Sequence, residues 1–167
     1  KDHSLAVVGG TGAVFSWGSG RLSPLGLGDE YNRNVPTAVP GLGGVVAVEG
    51  GNHHSLALGW DGALRSWGDN NHGQLGLGDT QNRSSPTVVA GLRRIVDMAG
   101  GDYHTIAATL EGHVHTWGMR GVTGHDAECH VPTRVTAGLE GLVVVRVAAG
   151  CNYCTAVAPA VGQLLTW

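Results

Sequence analysis

The residues best suited to chemistry in this chain are its nine histidines and three cysteines, and their spacing governs what they can do. His3, His54 and His104 fall at one position of a repeating pattern, with Cys154 taken as its counterpart in the fourth unit. Such a set can shuttle protons or bind a metal. A catalytic group is needed once, however, so a histidine that recurs in every unit is expected to hydrogen-bond its neighbours in a half-buried structural site. Cys151 and Cys154 have the spacing of a metal-binding pair, and Cys129, His130 and His125 lie in the preceding unit. A zinc site of three cysteines and one histidine is the metal reading open to these residues. Each member of the pair also has a substitution reading, Cys151 replacing a turn glycine and Cys154 the repeat histidine. The expectation is no metal and no cofactor.

Other chemistries lack their residues. No Gly-x-x-x-x-Gly-Lys-Ser/Thr loop is present, and the sole lysine is Lys1, so nothing cradles a nucleotide phosphate. No Gly-x-Ser-x-Gly elbow occurs either. Asp29-Glu30 and Asp79 sit in glycine-rich loops without the alternating oxygen ligands of a calcium loop, which leaves them turn chemistry. The net charge is −3 and only Arg93-Arg94 are adjacent basic residues, read as a solvated strand edge, so no nucleic acid is expected to bind this segment. The apolar run from Leu142 to Gly150 is broken by Arg146, far short of the ~18 residues of a membrane span. An odd number of cysteines suits a reducing, intracellular compartment, cytoplasmic or nuclear. Asn82-Arg83-Ser84 fits a glycosylation sequon, but the same position one unit earlier reads Asn32-Arg33-Asn34, so the match is read as accidental.

The elements that carry these residues repeat. Trp17, Trp67, Trp117 and Trp167 stand 50 residues apart, and Gly12, Gly62, Gly112 and Gly162 keep the same register. A fixed period of this length marks stacked supersecondary units. The 29 glycines and many short Val/Leu/Ala runs favour short strands and tight turns, hence an all-β chain. In the second unit the strands fall at Val45 to Val48, His54 to Leu58, Ala63 to Trp67 and Pro86 to Val89, with Asp61-Gly62 as a two-residue hairpin. Pro36, Pro86 and Pro132 are expected to begin an outermost strand, where a missing donor is tolerated. Gly50-Gly51, Gly100-Gly101 and Gly150-Cys151 mark the turn after the first strand.

Four strands make a blade, and about fourteen strands make a partial β-propeller of about three and a half blades. The units run approximately 1–44, 45–94, 95–141 and 142–167, the first and last incomplete, which reads as a piece of a longer chain. The remaining blades, or a neighbouring subunit, are expected to cover the open edges. The third unit departs from the others: Gly121 to His130 replaces the run Leu75-Gly76-Leu77-Gly78-Asp79.

These units resemble the repeats of the regulator of chromosome condensation family. The likeness lies in Gly51-Asn52-His53-His54-Ser55-Leu56-Ala57-Leu58, Asp61-Gly62, Ser66-Trp67-Gly68 and Asn71 through Asp79. It implies a seven-bladed propeller, of which this chain is just under half. It does not imply one activity, since the family includes a guanine-nucleotide exchange factor for a small GTPase, an ultraviolet photoreceptor, parts of ubiquitin ligases and scaffolds. The photoreceptor's Gly-Trp-Arg-His-Thr motif aligns with Asn52, Asp102 and Asn152, so its light-absorbing indoles have no counterpart. The exchange factor's inserted wedge and basic tail have none in this segment.

The leading expectation is a non-enzymatic protein-interaction scaffold. Positions that vary between units while their neighbours hold constant are Asn52-His53, Asp102-Tyr103 and Asn152-Tyr153, and tyrosine is a residue type favoured at binding hot spots. The partner is expected to be a protein, with a small GTPase as one class. Guanine-nucleotide exchange is the alternative activity, and structural packing in a ciliary or microtubule-associated complex is a third.

Overall fold

A computed structural model describes residues 2–167, and Lys1 lies outside the described residues. The chain is all-β. The first sheet contains β1 (His3–Val7), β2 (Val14–Gly18) and β3 (Arg33–Ala38), and the second contains β4 (Val45–Gly50), β5 (His54–Gly59), β6 (Leu64–Gly68) and β7 (Arg83–Val88). The third contains β8 (Ile95–Gly100), β9 (His104–Thr109), β10 (Val114–Gly118) and β11 (Cys129–Val135), and the fourth β12 (Arg146–Ala149), β13 (Cys154–Ala158) and β14 (Gln163–Thr166). Each sheet is an antiparallel meander in chain order. The four sheets are successive blades of a partial propeller.

Blades bury both faces. Every residue of β5 and of β9 is buried, whereas β1 and β13, in the terminal sheets, are partly exposed. The core therefore lies between sheets. Leu56, Leu64, Ile95, Met98 and Trp117 pack between the second and third, and Val14, Val45, Ala57 and Trp67 between the first and second. This explains why β5 and β9 read as near-continuous apolar runs without a polar face. The strands β4, β8 and β12 adjoin across successive sheets, and β3, β7 and β11 form the opposite edges.

The prolines lie on those edges, but within the strand. Pro86 is the fourth residue of β7, because the ladder passes from Gly68 opposite Arg83 to Ser66 opposite Thr87 through an irregularity. That bulge leaves a position where no backbone donor is required. The hairpin at Asp61-Gly62 is also longer than expected. Gly59 donates to Ala63 O at 3.0 Å and Gly62 to Gly59 O at 2.9 Å, which makes a three-residue loop closed by Gly62 at φ +76°. Asp61 is not in the left-handed region, so a two-residue turn is ruled out.

One register differs from the sequence reading and moves three candidate residues. Trp167 exchanges both backbone hydrogen bonds with Cys154, at 2.8 and 3.1 Å, where Trp67 pairs with Ser55 and Trp117 with Thr105. Gly150 N donates to Tyr153 O just as Gly51 donates to His54 and Gly101 to His104. Cys154 therefore stands at the Ser/Thr position and Tyr153 at the histidine position. The turn pair is Ala149-Gly150 rather than Gly150-Cys151, and the hairpin beyond β13 is extended by a 3-10 turn at Pro159–Val161.

Candidate protein-interaction face

Two sets of residues hold the blades together across their boundaries. His3 Nε2 lies 2.9 Å from Ser55 Oγ, which donates to Pro24 O at 2.7 Å, and the same carbonyl accepts Trp67 Nε1 at 2.8 Å. One unit on, His54 Nε2 lies 3.1 Å from Thr105 Oγ1, which donates to Gln74 O at 2.8 Å, and Trp117 Nε1 donates to it at 2.9 Å. The recurring histidine is thus a bridge to the next blade. Burial drives its pKa down, to about 4 at His3 and about 3 at His54, so the neutral ring is the bonded species.

The third boundary keeps the geometry and loses bonds. Gly121 to Gly124 takes the place of Gly73 to Gly76, with Gly124 facing Trp167 as Gly76 faces Trp117. Cys154 Sγ donates to Val122 O at 3.3 Å, in the role of the Ser55 and Thr105 hydroxyls. Trp167 Nε1 has no acceptor. Neither ring nitrogen of His104 meets hydrogen-bond geometry, although the nearby Tyr153 backbone partly opposes the lowering of its pKa by burial.

These boundaries present one face. The turns between the first two strands of the second, third and fourth sheets converge: Asn52, Asp102 and Cys151, each behind its small-residue pair, line a cavity of about 240 Å³. Asn52 N donates to Gly101 O at 3.1 Å and Asp102 N to Cys151 O at 3.4 Å, so each turn is stitched to the next. The corrected register makes His53, Tyr103 and Asn152 the next equivalent set, and Tyr153 joins the histidines. Its ring lies over Gly150, half exposed.

Tyr103 extends the face outward. Its ring meets His72 edge-on, with centroids 5.2 Å apart, and His72 Nδ1 lies 2.9 Å from Glu128 Oε1. That contact holds the Glu128 carboxyl below the usual range, and His130 Nε2 lies 3.7 Å from its other oxygen. His72 and Glu128 escaped the sequence reading. The signal for them was the altered loop of the third unit, which brings Glu128 against the loop of the second.

The remaining candidates have structural surroundings. Asp29 and Asp79 each accept a backbone N–H two residues on and pair with Arg33 and Arg83 at 2.7 and 2.6 Å. Asn82 Oδ1 accepts Asn70 N at 2.8 Å and Asn32 Oδ1 accepts Gly20 N at 2.9 Å, which accounts for the repeated asparagine. The zinc candidates do not converge: Cys151 is exposed and lines the cavity of the three turns, Cys154 is buried on Val122, and Cys129 Sγ lies 3.7 Å from Ala127 O. His130 faces Glu128, and His125 Nε2 lies 3.1 Å from Thr116 Oγ1. Among the described residues no group of three or more His, Cys, Asp or Glu is arranged to hold a metal ion.

Fold and face together define a β-propeller segment built from tryptophan-closed blades. The regulator of chromosome condensation (RCC1) repeat pattern matches residues 11–58 and 61–108, and a second pattern of that description matches 45–74. The chain belongs to the RCC1 repeat family. Among solved structures it is similar to human WBSCR16, at 28% identity and a TM-score of 0.87, over 100% of this chain and 45% of that one. It is similar to yeast Prp20 in complex with Kap60, at 25% identity and a TM-score of 0.81, over 100% of this chain and 42% of that one. Prp20p from Saccharomyces cerevisiae, described with its binding properties to Gsp1p and histones, aligns at 21% identity and a TM-score of 0.83, over 93% of this chain and 41% of that one. The chain spans less than half the length of these proteins.

Proposed function

We propose that this segment is a non-enzymatic protein-interaction module whose partner docks on the face formed by Asn52, Asp102 and Cys151 with His53, Tyr103 and Asn152. The observation that carries this reading is the contrast within each turn. The glycines, bridging histidines and tryptophans repeat because they join blades, while at the rim the backbone stitches one turn to the next and the residue types differ from unit to unit. Tyr103, supported on His72, supplies a preordered aromatic of the kind that anchors interfaces. Proximity crosslinking from position 102 identifies the partner, and Asp102→Lys with Tyr103→Ala then lowers its affinity by about tenfold or more. Unchanged affinity moves the site to another face.

A second reading, regulation of a small GTPase through the same face, draws support from the likeness to Prp20p, a protein described with its binding to Gsp1p. Nucleotide release from a panel of GTPases, measured with the full-length protein, separates exchange activity from plain binding. Release accelerated by the protein and abolished by Asp102→Lys favours the exchange reading.

A further inference from the structure

The strands of each blade run between two ends, so the hairpins at Gly59 to Ala63 open on the side opposite the face just described. There Trp60 is 79% exposed. Its backbone N–H donates to Gly44 O at 2.8 Å, and its indole lies so close over Gly44 that a Cβ there would collide with the ring. The ring is a wall between two grooves. One, of about 520 Å³, is lined by Thr11, Gly12, Val45 and Val46, and the other, of about 610 Å³, by Val89, Leu92, Arg93 and Arg94. A side chain this apolar, held out of the core and flanked by exposed Val46, is a recognition feature rather than a packing one.

The charge beside it is independent evidence. Arg94 O accepts Leu110 N at 2.8 Å as Gly44 O accepts Trp60 N, so Arg94 and Gly44 are equivalent. Gly44 sits at φ +66° and Arg94 at φ +54°, a left-handed conformation that strains a non-glycine residue. Glycine serves at that position one unit earlier without strain, so the arginine is held there against its backbone preference. It pairs with Glu111 at 2.8 Å, while Arg93 is exposed and enters no ion pair among the described residues. An apolar groove ending in a guanidinium selects a carboxylate next to an apolar side chain. The groove is lined by Ala63, Val89, Ala90 and Leu92 together with Asp61, whose carboxylate is offset by Arg65 at 3.5 Å, and a single exposed indole offers no run of stacking platforms, which favours a protein segment over a nucleic acid.

We propose that Trp60, Arg93 and Arg94 form a second docking site, for an extended acidic peptide segment of another protein that lays an apolar side chain against the indole and a carboxylate on Arg93. This site stands apart from the Asp102 face, and either can fail alone. Selection of a random-peptide phage library on the full chain enriches sequences with an aromatic or aliphatic residue beside Asp or Glu. The enriched peptide, labelled and titrated, binds Trp60→Ala and Arg93→Glu at least about tenfold more weakly, retains affinity for Trp60→Phe, and is indifferent to Tyr103→Ala on the other face. Added salt weakens it. The proposal is overturned by no enrichment, by enriched peptides that bind both variants normally, or by a single-stranded oligonucleotide that binds more tightly and displaces the peptide. Matching thermal melts of the variants show that the loss is local.

Discussion

Trp67 donates its indole N–H to the carbonyl of Pro24 at 2.8 Å, across the boundary between two blades. The tryptophan is wholly buried and the carbonyl belongs to a loop, so the bond joins the end of one strand to the connection of the preceding unit. Ser55 shares that acceptor. A loop that has no ladder of its own is thereby fixed by two donors from its neighbour, and the rim turns above it inherit that rigidity.

Removing one of those donors tests the arrangement. Ser55→Ala and Thr105→Val each delete a buried hydroxyl and strand a histidine Nε2, and each is expected to destabilise by about 1–3 kcal/mol. The midpoint of urea unfolding measures the loss. A double variant of Ser55→Ala with Trp67→Phe costs more than the sum of the two single changes, since only the pair together leaves the buried Pro24 carbonyl without a donor.

Close approach at the glycines predicts a contrast. A Cβ on Gly76 would lie 2.7 Å from Trp117 Nε1, whereas one on Gly121 meets nothing within 4 Å. Both have positive φ, +73° and +84°, so both alanine variants carry backbone strain. Gly76→Ala alone adds a clash with a core indole, and its melting temperature falls clearly further than that of Gly121→Ala. Equal falls would show that strain dominates.

Acid sensitivity follows from the bridging histidines. The folded-state pKa of His54 is lowered to about 3 and that of His3 to about 4, below the ordinary value of about 6.5 in an unfolded chain. The unfolded chain therefore takes up protons first as pH falls. Stability is flat above pH ~6.5 and declines from there toward pH ~3, by on the order of a few kcal/mol. His3, His53 and His104 act on His54 with the same sign. Urea midpoints at several pH values measure the slope, and His54→Gln flattens it even where it lowers overall stability.

The cysteines divide by environment. Burial pushes the Cys154 thiol up to about 12, and Cys151 is exposed, so a maleimide labels Cys151 in the native protein and Cys154 only on unfolding. Cys154→Ser places a stronger donor beside Val122 O, where a thiol now sits at 3.3 Å, and is expected to raise stability by about 0.5–1 kcal/mol.

The architecture was open to reading from the spacing of Trp17, Trp67, Trp117 and Trp167 because each closes the same strand, and every blade needs that strand. The shift at Cys151 to Tyr153 was hidden for a related reason. The chain between Gly112 and Val144 is one residue shorter than that between Gly12 and Val45, and the hairpin after β13 is one longer than in the third unit, so the tryptophan period survives while the residues between them slide. Only backbone pairing shows it. Trp60 and Arg93 were visible as residue types, but their place on the opposite side depends on where two hairpins and two loops meet. His72 and Glu128 are 56 positions apart, and no local pattern joins them.

Trp167 has its partner strand and lacks its acceptor. The seam it closes keeps Cys154 Sγ on Val122 O and adds Val147 N on Asp97 Oδ2 at 2.8 Å, but it lacks the indole and histidine bonds of the other two, and hydrogen exchange would show amides around β12 and β13 opening before those of β5 and β9. The seam between the third and fourth units is the fault line of this structure.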